Sequence, residues 1–181
     1  HGPGDIGLTE DEARTHFAIW CMMASPLWIT HNIFQANITG RDGRSYNVND
    51  IVAHDEALAI NQDSKGEMAT RIDGASHSGH GLANRIPLVC EGAAAWPNGE
   101  QLARPLSNGD WALLLFNRLN SSLTMTHTFT DIGDTTQTSF AVRDVWARKS
   151  LGNFTNTFVA RDVPPHGNVF LRLRAIPPPP P

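Results

Sequence analysis

Between residues 10 and 27 the apolar side chains recur at intervals of three and four, with Ala13, Phe17, Trp20, Ala24 and Leu27 on one stripe. That period predicts an amphipathic helix over 10–24. Thr9-Glu-Asp-Glu12 has the form of a capping box, in which hydroxyl and carboxylate satisfy each other's backbone N–H groups at a helix start. Pro26 prevents the helix from continuing. Leu27-Trp-Ile-Thr30 then reads as a short buried strand, and helical stretches follow at 49–54 and 56–61. Helix, strand, helix is the rhythm of an α/β fold with parallel strands.

Beyond Asp63 the pattern changes. Residues 72–99 are rich in Gly, Ser, His and Ala and have the weakest periodicity in the chain, which marks a linker or irregular insertion. From Gln101 the period becomes that of strands, expected at 111–116, 123–129, 139–146, 154–160 and 169–173. Turn residues separate them, as in Ser107-Asn-Gly-Asp110 and Pro164-Pro-His-Gly167, at the spacing of an antiparallel β-sandwich of about 80 residues. Four segments follow: 1–71 with α/β character, a linker at 72–100, an all-β domain at 101–175, and a polyproline tail at 176–181. The tail is expected to be extended and solvated.

A chain of 181 residues, 40% hydrophobic, can bury one sizeable core, or one small domain and part of another. The net charge of -4, without a Lys or Arg cluster, argues against nucleic acid and anionic membranes as partners and suits neutral ones such as sugars. No apolar run approaches the roughly 18 residues that would cross a bilayer. The first residue is His1 and the next few already read as the loop before a helix, so a longer parent chain is expected. Cys21 and Cys90 are too few for a disulfide framework, and Cys21, inside an apolar helical run, is expected to be a buried free thiol.

Several motifs invite chemistry and are better explained without it. Gly2-Pro-Gly-Asp-Ile-Gly7 is a literal G-x-G-x-x-G, yet no strand precedes it and no acidic residue closes a second strand. His77 and His80 lack the further ligands of a closed metal site. Ser76 beside His77 fails the nucleophile-elbow pattern, and sequence adjacency does not align a nucleophile with its base. Trp28, Trp96, Trp111 and Trp146 have faces on which sugars stack, but Trp111 and Trp146 sit in strand patterns that bury them. No cofactor is implied. Three triplets, Asn37-Ile-Thr39, Asn120-Ser-Ser122 and Asn153-Phe-Thr155, are N-glycosylation acceptor sequences and point to a secreted, lysosomal or vacuolar protein.

Three segments carry a specific likeness: Asp55-Glu-Ala-Leu-Ala-Ile-Asn-Gln-Asp63, Val142-Arg-Asp-Val-Trp146 and Val163-Pro-Pro-His-Gly167. In this order and separation they resemble the last part of glycoside hydrolase family 27, the melibiase or alpha-galactosidase group. The likeness extends over nearly the whole chain apart from the insertion and the tail. Leu8 to Leu27 is similar to the family's seventh barrel helix leading to its eighth strand, and Arg104-Pro-Leu-Ser-Asn-Gly-Asp-Trp111 to the start of its C-terminal β-domain. The resemblance implies the last part of a (β/α)8 barrel followed by a β-sandwich. It also implies a parent protein that cleaves terminal alpha-linked galactose with retention, with a homodimer as an expected assembly of the complete protein.

Retention requires two carboxyl groups about 5 to 5.5 Å apart. The family's reacting aspartates lie at the ends of middle barrel strands, and nothing here matches their motifs, so no catalytic residue is assigned. Asp5 and Asp11 lie near the end of what resembles the seventh barrel loop, but the matching family segment follows the last sugar-contacting residues, and Asp11 is explained as a first-turn acid complementing the helix dipole. Thr30-His-Asn-Ile33 departs from the family's usual Gly or Ser followed by Asn-Asp-Leu. Two other functions share these features: a non-catalytic carbohydrate-binding β-module, and an alpha-N-acetylgalactosaminidase of the same architecture. A cut barrel is further expected to leave the N-terminal third unfolded beside a folded sandwich.

Overall fold

The structure, a computed structural model, describes residues 7–28, 34, 36–72, 99–133 and 137–177. Its centre is a six-stranded antiparallel sheet in the order β3 (Thr70–Arg71), β4 (Glu100–Pro105), β5 (Trp111–Phe116), β10 (Asn168–Ala175), β7 (Ser139–Asp144) and β8 (Lys149–Thr155). A two-stranded layer of β6 (Leu123–Thr128) and β9 (Thr157–Val163) belongs to a second sheet. Helices α1 (Glu10–Met22), α2 (Asn49–Val52) and α3 (Asp55–Asn61), with a small ribbon of β1 (Asn37–Thr39) and β2 (Ser45–Asn47), precede the sheet in sequence.

Two hydrophobic clusters share the sheet. Ala112, Leu114 and Phe116 of β5 join Phe170 and the helical residues Phe17, Ala18, Cys21, Met22, Ala57 and Ile60. Leu113 and Leu115, pointing the other way, join Met125, Phe129, Phe158 and Ala160. The period of two thus sends alternate residues of one strand into different cores. This is why Trp111 to Phe116 is an unbroken apolar run: a strand covered on both faces has no solvent side.

The antiparallel sandwich expected from the strand period is present, and the structure corrects what surrounds it. Among the described residues every strand pairing is antiparallel, apart from an isolated parallel bridge between Gly7 and Gly40. The α/β rhythm read from 1–71 therefore does not form parallel strands there: Leu27 and Trp28 are not in a strand, and Ile29 and Thr30 lie outside the described residues. The N-terminal helices pack on the sheet through Phe17, Ala18, Cys21 and Met22, while Trp28 and Phe34 stay exposed. The strand expected at 154–160 is two strands, β8 and β9, which the chain joins at Asn156, held at φ 66. Asparagine tolerates that left-handed conformation better than most residues.

Helix α1 begins as the capping box predicts. Glu12 N–H donates to Thr9 Oγ1 at 3.2 Å and Thr9 N–H to Glu12 Oε2 at 3.0 Å. It ends at Met22, before Pro26 acts. Ser25 N–H reaches the Trp20 carbonyl and Ala24 N–H the Cys21 carbonyl, with Ala24 at φ 50. This is a Schellman closure with alanine in glycine's usual place. The buried face is Phe17, Ala18, Cys21 and Met22; Trp20 stands at its edge, against His16.

Candidate functional site

The three segments that carried the likeness meet at the junction of the helices and the sheet. At the start of α3, Ala57 N–H donates to His54 Nδ1 at 3.4 Å, which leaves the proton of the neutral ring on Nε2 to donate to the Trp146 carbonyl at 3.3 Å. The same imidazole therefore caps a helix and ties it to the turn after β7. Burial, then the nearby Arg148 charge, lowers the His54 pKa. Arg143 grips Glu56 with two hydrogen bonds, Nε at 2.8 Å and Nη2 at 2.6 Å, and Arg148 Nε donates to Asp55 at 2.8 Å. Those bonds hold both carboxyls below their ordinary range.

At the other end of α3, Asn61 donates to the Ser25 carbonyl at 3.0 Å and fixes the chain after α1. Asp63 accepts from Ser107 N–H at 2.9 Å and Ser107 Oγ at 2.8 Å, so it secures the β4–β5 turn. Burial raises the Asp63 pKa, but the bonds from Ser107 and Lys65 outweigh it and leave the pKa lowered. Arg104 of β4, fully buried, donates Nη1–H to the Cys21 carbonyl at 2.7 Å. Helix α1 has no basic residue in its last turn, and Arg104 supplies that positive charge from the sheet. Cys21 is a free thiol whose pKa burial pushes up to about 12; Cys90 lies outside the described residues.

The third segment closes the flank. Thr15 Oγ1 donates to the His166 carbonyl at 2.8 Å and accepts from Asn168 Nδ2 at 2.9 Å, while Asn168 Oδ1 accepts from Trp146 Nε1 at 2.9 Å. Beside this chain of bonds lies a cavity of about 520 Å³, between the first turn of α1, Asp144 and Trp146, and the start of β10.

Chemically, this arrangement fastens layers together. Asp55, Glu56 and Asp63 are each held by an arginine or by Ser107. Asp11 sits in the first turn of α1, where a carboxylate favours the helix dipole. Asp5, His77, His80, Trp96 and the glycine-rich segment up to Asp5 lie outside the described residues. Among the described residues no group of three or more His, Cys, Asp or Glu is placed to hold a metal ion, and no helix is long and apolar enough to cross a membrane. Trp146 and Trp111 are half-buried against the two cores, and Trp28 is exposed. Asn37, Asn120 and Asn153 are all exposed. Asn37 and Asn153 lie on strands, and Asn120 accepts a hydrogen bond from His166 Nε2 at 2.8 Å.

What sequence reasoning missed are the partners: Arg143, Arg148, Ser107 and Asn168. Arg143 stands inside a quoted segment, but its pairing with Glu56 spans 87 residues, and no local signal carries it.

Comparison with known proteins places this junction. The family profile described as the alpha galactosidase C-terminal beta sandwich domain matches residues 98–173. An alpha-galactosidase of Oryza sativa subsp. japonica is 30% identical over 165 residues, which cover 90% of this chain and 32% of that protein. The crystal structure of alpha-galactosidase I from Mortierella vinacea aligns with a TM-score of 0.68 at 28% identity, over 94% of this chain and 37% of that one. The structure of an alpha-galactosidase from Saccharomyces cerevisiae with raffinose aligns at a TM-score of 0.69 and 22% identity, over 96% and 45%. The profile match and these alignments define the class, an alpha-galactosidase-type C-terminal β-sandwich with the helices that dock on it. The chain belongs to glycoside hydrolase family 27, the melibiase or alpha-galactosidase group, as the C-terminal portion of such a protein. It spans about a third of the length of the curated relatives it matches.

Proposed function

We propose that this chain is the C-terminal part of a retaining glycoside hydrolase that removes terminal alpha-D-galactosyl residues from oligosaccharides or glycoconjugates. In this reading, residues 1–71 supply the closing helices of a (β/α)8 barrel, and the sandwich that follows braces them. The observation that carries it is the His54, Asp55 and Glu56 clamp onto Trp146, Arg148 and Arg143, made by the same segments that liken the chain to alpha-galactosidases. A domain that served only to bind sugar would offer aromatics on an open sheet face. The large exposed apolar side chains on the described strands are instead Leu151 and Val159.

The two reacting carboxyl groups belong to the barrel strands outside this chain, because barrel active sites assemble from the ends of several strands. A chromogenic alpha-galactoside tests this with the 181-residue chain and the longer gene product side by side. Hydrolysis is expected from the longer protein alone. Turnover by the 181-residue chain would overturn the reading, with Asp5 and Asp11 the first residues to replace. A longer protein that prefers the alpha-N-acetylgalactosaminide would change the substrate and keep the reaction class.

The exposure of all three acceptor asparagines supports passage through a secretory route to the outside, a lysosome or a vacuole, and a homodimer is proposed for the complete protein. Material from a eukaryotic host is expected to lose mass on treatment with peptide N-glycosidase, in steps removed by Asn37→Gln, Asn120→Gln and Asn153→Gln. Unchanged mass would refute glycosylation in that host.

A further inference from the structure

We infer that the cavity beside the first turn of α1 is a second, non-catalytic sugar site, which takes one neutral pyranose ring; the choice of a galactosyl ring rests on the proposed function. Three observations carry it. First, its volume of about 520 Å³ lies in the range of small-molecule sites and exceeds what one ring needs. Second, its wall is mixed in the way a sugar is mixed. Pro164, Val169 and the rim of the half-buried Trp146, whose ring Arg14 overlies, offer apolar surface to the C–H face of a ring, and Asp11 and Asp144 offer acceptors to the hydroxyls around its edge.

Third, those acceptors have capacity to spare on a prearranged frame. Asp144 Oδ1 accepts from Ala147 N–H at 2.9 Å, and no described residue donates to its other oxygen or to Asp11. Burial, then the charge of Glu10, pushes the Asp11 carboxyl above its ordinary range, and the residue as a whole is exposed, so a hydroxyl donor can reach it. The frame itself is fixed by the Trp146, Asn168 and Thr15 hydrogen bonds, which lowers the ordering cost of binding. A cationic ligand fits less well, because Arg14 already lies 5.4 Å from the Trp146 ring centre and 2.7 Å from Glu10.

Titration of the 181-residue chain with methyl alpha-galactoside, followed through the Trp146 indole N–H resonance, tests this. A monosaccharide in an open site is expected to bind with a dissociation constant on the order of 1–10 mM. Asp11→Asn should weaken it at least fivefold, and Asp50→Asn, exposed in helix α2, should leave it unchanged. Asp144→Asn is the second variant, since its Oδ1 still accepts from Ala147 while the charge is gone; it too should weaken binding. No shift of the Trp146 signal well above that concentration range, or shifts indifferent to both variants, would overturn the site. Hydrolysis by the longer protein without binding here sinks the second site alone. Binding here without hydrolysis by the longer protein sinks the proposed reaction and leaves the site standing.

Discussion

Phe170→Ala is expected to destabilise the chain by about 3–5 kcal/mol, the range for emptying a buried aromatic position. Phe170 is fully buried on β10, a central strand, and its ring lies 5.9 Å from that of Trp146 in the cluster shared by the sheet with α1 and α3. A domain's whole stability is roughly 5–15 kcal/mol, so this one truncation removes a large part of it. The readout is whether helices and sheet are lost together. Urea curves followed by far-ultraviolet circular dichroism and by tryptophan fluorescence should coincide in both wild type and variant, with the midpoint of both shifted down. Val159→Ala, on an exposed face, should change stability by about 0.5 kcal/mol or less. Early proteolysis within α1 while the strands from β4 onward stay protected would show that the sheet stands alone and that Phe170 does not couple the layers.

That coupling explains what was legible in the sequence. The capping box at Thr9 and Glu12 and the strand over Trp111 to Phe116 were readable because each is settled by neighbours a few residues apart. The phase of α1 was not. The stripe through Trp20 and Leu27 satisfies the helical period, but so does the one through Phe17, Ala18, Cys21 and Met22, and the choice belongs to the sheet beneath. The α/β reading of 1–71 finds no parallel strand pair among the described residues, for a related reason. Periodicity reports which face of a helix is buried, and says nothing of whether an antiparallel sheet or a parallel one does the burying. Asn156 was equally opaque: its neighbours look like one continuous strand, and only a left-handed backbone there passes the chain between layers.

The candidate site was legible in another sense. Asp55, Glu56, Val142 to Trp146 and Val163 to Gly167 carried the family likeness, and the structure shows that their common work is to hold helices on a sheet. A recognisable segment is thus no sign of a reacting one. Glu56 with Arg143 illustrates this: both partners are partly exposed, and the bidentate geometry sets orientation more than it adds stability. All three acceptor asparagines are exposed, as glycosylation there would require. Asn153 also sits on β8, an edge strand of the sheet, where a bulky polar substituent would obstruct pairing with another chain.

Acidification is expected to remove roughly 3 kcal/mol of stability through His127 alone, as pH falls from 6.5 to 4. His127 is fully buried on β6; its Nδ1–H donates to Gln101 Oε1 at 3.0 Å, and Nε2 has no partner among the described residues. Burial lowers its pKa to about 4, from 6.5. The sign follows from which state takes the proton. Between those values the unfolded chain binds it and the folded chain does not, so stability is complete above pH 6.5 and declines on the way to 4. His54, also lowered, adds in the same direction. Asp55, Glu56 and Asp63 have lowered values and lose their contribution mainly below the ordinary carboxylate range, so their window lies lower. Urea midpoints at pH 7, 6, 5 and 4.5 read the decline. His127→Gln keeps a polar group facing Gln101 without a titrating one, and should flatten most of the slope between 6.5 and 4.5, whereas His54→Gln should flatten less. An unaltered slope in His127→Gln would show that the imidazole is hydrated in the folded state, and that the contact between β6 and β4 at Gln101 is looser than its geometry implies.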